Sequence, residues 1–103
     1  MNNETNIADY LEYIQFEKRL SVLTIKNYHQ DILLLQKQWP NKKFNAYTNR
    51  DVRQSVSILH QKGLNGKSLS RVLSSWRGFF DFLIHKHSFQ QNPVLGIKAP
   101  KAK

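Results

Sequence analysis

Apolar side chains recur at helical spacing in four segments of this 103-residue chain, whereas the alternation of apolar and polar residues that marks a strand is missing. Such a stripe is typical of the side of a helix that packs against a core. The stripe in the second segment consists of Ile25, Tyr28, Ile32, Leu35 and Trp39. The spacing predicts helices over residues 6–18, 22–38, 49–62 and 66–86. We therefore expect an all-α fold, a compact bundle of four helices with short connections.

Local signals support the ends of these segments. Thr5 or Asn6 is a suitable N-cap for the first helix, and Pro40 ends the second because it disfavours helical backbone at the residue before it. Residues 48–51, Thr-Asn-Arg-Asp, resemble a capping box that begins the third helix. Near the C-terminus, the apolar residues within 94–97 are expected to form a short turn that packs back on the bundle.

The charge of the chain is strongly positive and unevenly distributed. There are 16 Lys and Arg residues against seven Asp and Glu, a formal net charge of +9. The first 17 residues hold four of the acids and no Lys or Arg, so they carry −4 and the remainder carries +13. Such an imbalance is typical of a chain that binds a polyanion. The acidic first helix should face away from the polyanion, toward solvent or another protein.

Catalytic, cofactor and membrane functions are poorly supported. Without cysteine, the chain can form no disulfide, thiolate zinc site or cysteine nucleophile. His85 and His87 point apart on a helix, which does not suit a metal pair. Residues 63–68, Gly-Leu-Asn-Gly-Lys-Ser, end like a phosphate-binding loop, but the first two glycines are too close together, so we interpret Gly63 as a helix stop and Asn65 as a helix cap. No apolar stretch approaches the roughly 18 residues of a membrane span. We expect no cofactor, no metal, no membrane and no small-molecule substrate.

The polar sides of two helices form the candidate binding surface. On the fourth helix they comprise Lys67, Ser68, Arg71, Ser74, Ser75 and Arg77. No acid lies between positions 67 and 77 to neutralise them, and long cations among small hydroxyls suit a phosphate backbone or a major groove. On the second helix they comprise Thr24, Lys26, Asn27 and Gln30. Amide side chains can pair with adenine edges. An ordinary solvated helix face is the alternative explanation of both sets.

Three fragments are notable when they are taken in series. They are Leu20-Ser21-x-x-Thr24-x-x-x-Tyr28-x-x-Asp31-Ile32, Leu69-Ser70-Arg71-x-Leu73-Ser74-Ser75-Trp76-Arg77-x-Phe79-Phe80-x-Phe82-Leu83, and Asn92-Pro93-x-x-x-Ile97-x-x-Pro100-Lys101. In this order and spacing they resemble the core-binding domain of tyrosine recombinases, the phage integrase family. The resemblance is to the Xer type, XerC-like rather than XerD-like, and it covers almost the whole chain.

The resemblance implies a SAM-like bundle of four helices over residues 1–97, followed at 98–103 by the start of a linker. Members of this family cut and rejoin DNA at specific sites through a tyrosine nucleophile, and they assemble as tetramers. The second and fourth helices are implied to lie at the major groove, with the ten polar residues of the candidate surface as DNA contacts. The first helix is implied to join neighbouring recombinases.

The resemblance also implies a division of labour in the parent protein. The family's catalytic residues belong to a C-terminal domain that this chain does not contain, so we expect the chain to bind double-stranded DNA and to catalyse nothing. The implied parent is a cytoplasmic site-specific recombinase that acts with a second recombinase, such as XerD, in chromosome dimer resolution at cell division. Lys26, Lys67, Arg71 and Arg77 are expected to neutralise phosphates. Asn27, Gln30 and Ser75 are expected to contact base edges.

Two residues depart from the family pattern, and two other functions stay open. Trp76 stands where a smaller aliphatic residue is usual, and Gly78 interrupts the fourth helix at a cost of about 1 kcal/mol relative to Ala.

The first alternative function is the core-binding domain of a phage or transposon integrase, which serves DNA integration. The second is a helical protein-interaction module with incidental basic charge.

Overall fold

Four α-helices are present in the computed structural model, which describes residues 2–100. The helices are α1 (Asn3–Phe16), α2 (Val22–Gln38), α3 (Asn49–Gln61) and α4 (Gly66–His87). A turn of 3-10 helix, Phe44–Ala46, lies in the connection between α2 and α3. Residues 2–100 contain no β-strand. The predicted all-α bundle of four helices is thus confirmed.

The first helix begins earlier than its apolar stripe indicates. The side chain of Asn2 is the N-cap of α1, since its Oδ1 accepts a hydrogen bond from the Thr5 N–H at 2.8 Å. The prediction that Thr5 or Asn6 caps this helix is therefore wrong, and Asn6 is instead a buried residue within it. α1 also ends at Phe16 rather than at residue 18.

The predicted caps of the third and fourth helices are confirmed. The Thr48 hydroxyl accepts from the Asp51 N–H at 3.1 Å, and the Asp51 carboxylate accepts from the Thr48 N–H at 3.0 Å. This reciprocal pair is a complete capping box. Asn65 Oδ1 accepts from the Ser68 N–H at 2.9 Å and so begins α4. Each cap pairs backbone donors that have no partner inside the helix.

The core is built around α4, which packs against each of the other three helices. Its fully buried side chains include Leu69, Trp76, Phe80 and Leu83. Aromatic rings from the α2–α3 connection complete this core, and the Phe44 ring packs edge-on against Phe79 with centroids 4.9 Å apart. The bundle therefore fixes the axis and rotation of α4, and with them the side of α4 that is exposed.

The chain after α4 folds back onto the bundle, as expected. Asn92 Nδ2 donates to the Arg77 carbonyl oxygen at 3.1 Å and to Asp81 Oδ1 at 2.8 Å, and it thereby anchors the tail to α4. Val94 and Ile97 are buried. Residues 101–103 of the predicted linker lie outside the described residues.

Candidate nucleic-acid interface

The outer side of α2 carries the residues predicted there. Lys26, Asn27 and Gln30 are exposed, and Thr24 is half-buried at the start of the helix. The N-cap Ser21 holds Thr24 twice, because its hydroxyl accepts from the Thr24 N–H at 3.2 Å and donates to Thr24 Oγ1 at 2.8 Å. Thr24 is therefore fixed within the cap, whereas the longer side chains beyond it point into solvent.

Two aliphatic side chains on the same turn were not predicted as surface residues. Val22 is 84% exposed and Leu23 is 67% exposed, at the N-terminal end of α2. Apolar side chains can contact thymine methyl groups in a major groove. The helical spacing alone could not distinguish them from core residues, since both flank the apolar stripe.

The residues exposed on the outer side of α4 differ in part from those predicted. Lys67 and Ser74 are exposed, whereas Ser68 and Arg77 are half-buried. Ser70, which was not singled out as a contact residue, is also exposed. The exposed strip ends in the exposed carboxylate of Asp81, so its charge changes from basic to acidic along the helix.

Ser75 is not part of this outer side. Only 4% of the residue is exposed, and its hydroxyl donates a hydrogen bond of 2.7 Å to Asp31 Oδ2. A buried hydroxyl that already donates to a carboxylate cannot contact a base edge. The prediction that Ser75 lies on the exposed side is therefore wrong, and the residue instead joins α4 to α2.

The expectation that no acid neutralises the basic side of α4 is also wrong. Asp31 of α2 reaches across to it, and Asp31 Oδ2 lies 2.6 Å from Arg71 Nη1. The Asp31 side chain is 5% exposed, while the Arg71 side chain is 57% exposed. The acid comes from a different helix, so the absence of acids within residues 67–77 could not show it.

A signal for Asp31 is nevertheless present in the sequence. Asp31 follows Tyr28 by three residues and precedes Leu35 by four, which places it on the apolar stripe of α2. A carboxylate on a core-facing stripe requires a partner, because an unpaired buried charge is very costly. A cation or hydroxyl from a neighbouring helix is the expected partner, and the structure supplies both.

We refer to the accessible polar residues of α2 and α4 together as the α2–α4 surface. Its members are Thr24, Lys26, Asn27, Gln30, Lys67, Ser68, Ser70, Arg71, Ser74 and Arg77. The two helices pack directly against each other. Within residues 2–100, neither Lys26 nor Lys67 forms an ion pair. The surface thus combines exposed ammonium groups with amides and hydroxyls.

The acids of α1, together with Glu17 directly after it, are mostly solvent-exposed. Glu4, Glu12 and Glu17 are exposed, whereas Asp9 is half-buried and lies 3.0 Å from His87 Nε2 near the end of α4. This contact is an ion pair only when His87 is protonated. It links the first and last helices of the bundle.

Other kinds of site receive no support from the described part of the chain. No group of three or more His, Cys, Asp or Glu residues within 2–100 is placed to hold a metal ion. None of the helices in this range is long and apolar enough to cross a membrane.

Comparison with known families agrees with this architecture. A family model described as "Phage integrase, N-terminal SAM-like domain" matches residues 7–87, which include nearly all of the four helices. The chain belongs to the phage integrase N-terminal SAM-like domain family. The resemblance to the core-binding domain of tyrosine recombinases, and the SAM-like fold that it implies, are thereby confirmed.

Curated relatives of this SAM-like integrase domain are named "Tyrosine recombinase XerC". The protein of Ralstonia pickettii is 34% identical over 101 residues, and that of Psychromonas ingrahamii is 36% identical over 98 residues. The protein of Alcanivorax borkumensis is 30% identical over 101 residues. These alignments cover 93%, 92% and 98% of this chain but only 31%, 33% and 33% of the relatives. The chain therefore spans about a third of their length. No solved structure matches it.

Proposed function

We propose that this SAM-like integrase domain binds double-stranded DNA through the α2–α4 surface. The observation that carries the proposal is the exposure of Lys26, Asn27 and Gln30 on α2 and of Lys67 on α4, two helices that pack against each other, in a member of this family. Two packed helices that present both cations and amides on one molecule offer groups for phosphates and groups for bases. An incidental solvated face would not need this combination.

The binding is mainly electrostatic. The Lys26 and Lys67 ammonium groups and the Arg77 guanidinium neutralise phosphates and release condensed counterions, so affinity falls as the salt concentration rises. Asn27 and Gln30 add hydrogen bonds to base edges, since an amide can pair with adenine in the major groove. The acidic helix α1 stays away from the duplex because its carboxylates would repel the phosphates.

The parent protein is, in this proposal, a cytoplasmic XerC-type tyrosine recombinase that breaks and rejoins DNA at a specific site. The similarity to proteins named "Tyrosine recombinase XerC" supports this assignment. This chain clamps the duplex and catalyses nothing itself. The parent acts in a tetramer with a second recombinase such as XerD, and its reaction resolves chromosome dimers at cell division.

A salt titration with matched variants tests the DNA-binding function. Fluorescence anisotropy of a labelled duplex is measured with the 103-residue chain between about 50 and 200 mM salt. We expect measurable binding with a steep salt dependence, and we expect Lys67→Ala to reduce the slope of log K against log salt by about 1. The absence of binding at the lowest salt, or binding without a salt slope, would contradict the proposal.

Lys43→Ala is the matched control. Lys43 is an exposed lysine that lines a cleft with His87 and Ser88, at the C-terminal end of α4. Lys67 lies near the other end of this 22-residue helix, about 30 Å away along the axis. The two variants remove the same charge, so a larger effect at Lys67 than at Lys43 identifies the surface rather than the net charge.

A further inference from the structure

A buried carboxylate lies under the α2–α4 surface and contacts two side chains of α4. Asp31 Oδ2 accepts from Arg71 Nη1 at 2.6 Å and from Ser75 Oγ at 2.7 Å. The Asp31 side chain is 5% exposed, so solvent does not compete for these hydrogen bonds. The Asp31 backbone carbonyl also accepts from Trp76 Nε1 at 2.7 Å, which fixes this point of α2 against α4. The carboxylate is therefore a rigid anchor.

The Asp31 carboxylate holds Arg71 in place but leaves most of its N–H donors available. A guanidinium has five N–H donors in a planar fork, and only Nη1 of Arg71 donates to a residue within 2–100. The side chain remains 57% exposed, so the outer donors of the fork face solvent. An arginine that is fixed at one nitrogen has lost much of its rotational freedom before any ligand arrives. It is therefore prepared for a ligand that accepts two hydrogen bonds in a defined plane.

The ion pair also changes what Arg71 can offer to DNA. Affinity for phosphates comes from charge neutralisation and counterion release. The charge of Arg71 is already balanced by Asp31, whereas Lys26 and Lys67 form no ion pair within the described residues. A charge-compensated guanidinium keeps its hydrogen-bond donors, and the O6 and N7 acceptors of guanine match that fork.

We propose that Arg71 recognises a guanine edge in the major groove and that Asp31 and Ser75 are the positioning residues that hold it for this role. The proposal rests on the DNA-binding function proposed above and assigns to Arg71 a role in sequence preference rather than phosphate neutralisation. Lys67, a few residues earlier on α4, supplies the contrasting case of a cation that forms no ion pair in the described part of the chain.

Selection from a pool of randomised duplexes tests this assignment, followed by affinity measurements on single-base variants of the selected sequence. We expect the wild-type chain to select guanine at one position and to lose about 5- to 100-fold in affinity when that base is changed. Arg71→Lys keeps the charge but lacks the fork, so it should lose this discrimination while its affinity for the substituted duplexes stays close to that of the wild type. Lys67→Ala should weaken all duplexes about equally.

The variant Asp31→Asn distinguishes a positioning role of Asp31 from a purely structural one. Removing the negative charge frees the charge of Arg71, so we expect tighter non-specific binding and a salt slope steeper by about 1, together with weaker guanine discrimination. A purely structural role for Asp31 would lower thermal stability without steepening the slope. If Asp31→Asn does not fold, Ser75→Ala removes one of the two hydrogen bonds to the carboxylate and is expected to give a smaller loss of discrimination.

The outcomes that overturn the proposal are distinct from failure of the proposed function. Full guanine discrimination by Arg71→Lys, or no guanine preference in a wild-type chain that binds DNA with a salt slope, overturns the role of Arg71 and leaves DNA binding intact. Failure of the wild-type chain to bind any duplex overturns both.

Discussion

The indole Nε1 of Trp76 donates a 2.7 Å hydrogen bond to the backbone carbonyl oxygen of Asp31. Trp76 is fully buried in α4, and Asp31 is the residue of α2 whose side chain holds Arg71. Asp31 therefore accepts hydrogen bonds both from a buried side chain of α4, Trp76, and from an exposed one, Arg71. This explains how a tryptophan is accommodated inside the bundle, because its polar atom has a partner and its ring fills the space between the helices.

We expect replacement of Trp76 to destabilise the bundle. Trp76→Phe loses the hydrogen bond and part of the ring, and should lower the free energy of unfolding by about 1 to 3 kcal/mol, whereas Trp76→Leu leaves a larger cavity and should cost about 2 to 4 kcal/mol. Urea unfolding followed by circular dichroism measures both. Trp39→Phe is a useful comparison, because it also removes an indole hydrogen bond, the one of 2.8 Å from Trp39 Nε1 to Ser55 Oγ, but from a ring that is only half-buried. A Trp76→Leu variant as stable as the wild type would show that the indole is not needed.

The helices were predictable because their signals are local. The apolar stripe of α2 and the Thr48–Asp51 capping box depend on residues only a few positions apart. The start of α1 was missed because its cap, Asn2, precedes the first apolar residue of the stripe by several positions. Periodicity locates the side of a helix that is buried, but not the turn that extends beyond the core.

The candidate site was predictable only in part, because its chemistry depends on contacts between helices. Ser75 lies at the edge between the exposed and buried sides of α4, where spacing alone does not determine exposure. Its burial and the charge balance of Arg71 both follow from Asp31, which is 40 residues away from Arg71 along the chain. Lys26 and Lys67, which form no ion pair among residues 2–100, are in contrast exposed as predicted, because neither lies on an apolar stripe.

The capping box of α3 makes the stability of the domain pH-dependent. Burial raises the pKa of Asp51, but hydrogen bonds from Lys42 and Thr48, together with the Lys42 charge, outweigh it and hold the pKa below its ordinary value of 3.8. The ionised form is favoured by folding, so this stabilisation is complete above about pH 4 and is lost as the pH falls through the lowered folded-state pKa.

We therefore expect Asp51→Asn to lose about 1 to 2 kcal/mol at neutral pH and to show a weaker acid dependence of unfolding below pH 4 than the wild type. Thermal unfolding is measured from about pH 2.5 to about pH 7, a range that includes the ordinary pKa of aspartate. The measurement compares the acid dependence of the variant with that of the wild type. Glu12→Gln is the control, because Glu12 is exposed and forms no ion pair among residues 2–100. An unchanged acid dependence in Asp51→Asn would contradict the assignment.

The glycine within α4 is not required by the backbone. Gly78 has an ordinary helical conformation, and a Cβ atom placed there would lie 3.4 Å from the Tyr10 hydroxyl oxygen, at the near edge of ordinary van der Waals contact. Gly78→Ala should therefore stabilise the domain by about 0.5 to 1 kcal/mol through helix propensity. Gly63 provides the opposite case, because its φ of +109° is strained for any other residue, and Gly63→Ala should destabilise. Chemical unfolding measures the free energy of unfolding of both variants. A loss of stability in Gly78→Ala would mean that the Tyr10 hydroxyl cannot move aside.

The amides of α2 should affect sequence preference more than overall affinity. Asn27 and Gln30 are exposed and carry no charge, so their removal releases no counterion contact. We expect Asn27→Ala and Gln30→Ala to reduce discrimination at individual base pairs by about 1 to 3 kcal/mol while the salt slope stays unchanged. Selection from randomised duplexes and salt titrations measure the two effects separately. Gln90→Ala is the matched control, because Gln90 is an exposed amide beyond the C-terminal end of α4. A reduced salt slope in either α2 variant, or an equal loss of discrimination in Gln90→Ala, would show that these amides do not recognise bases.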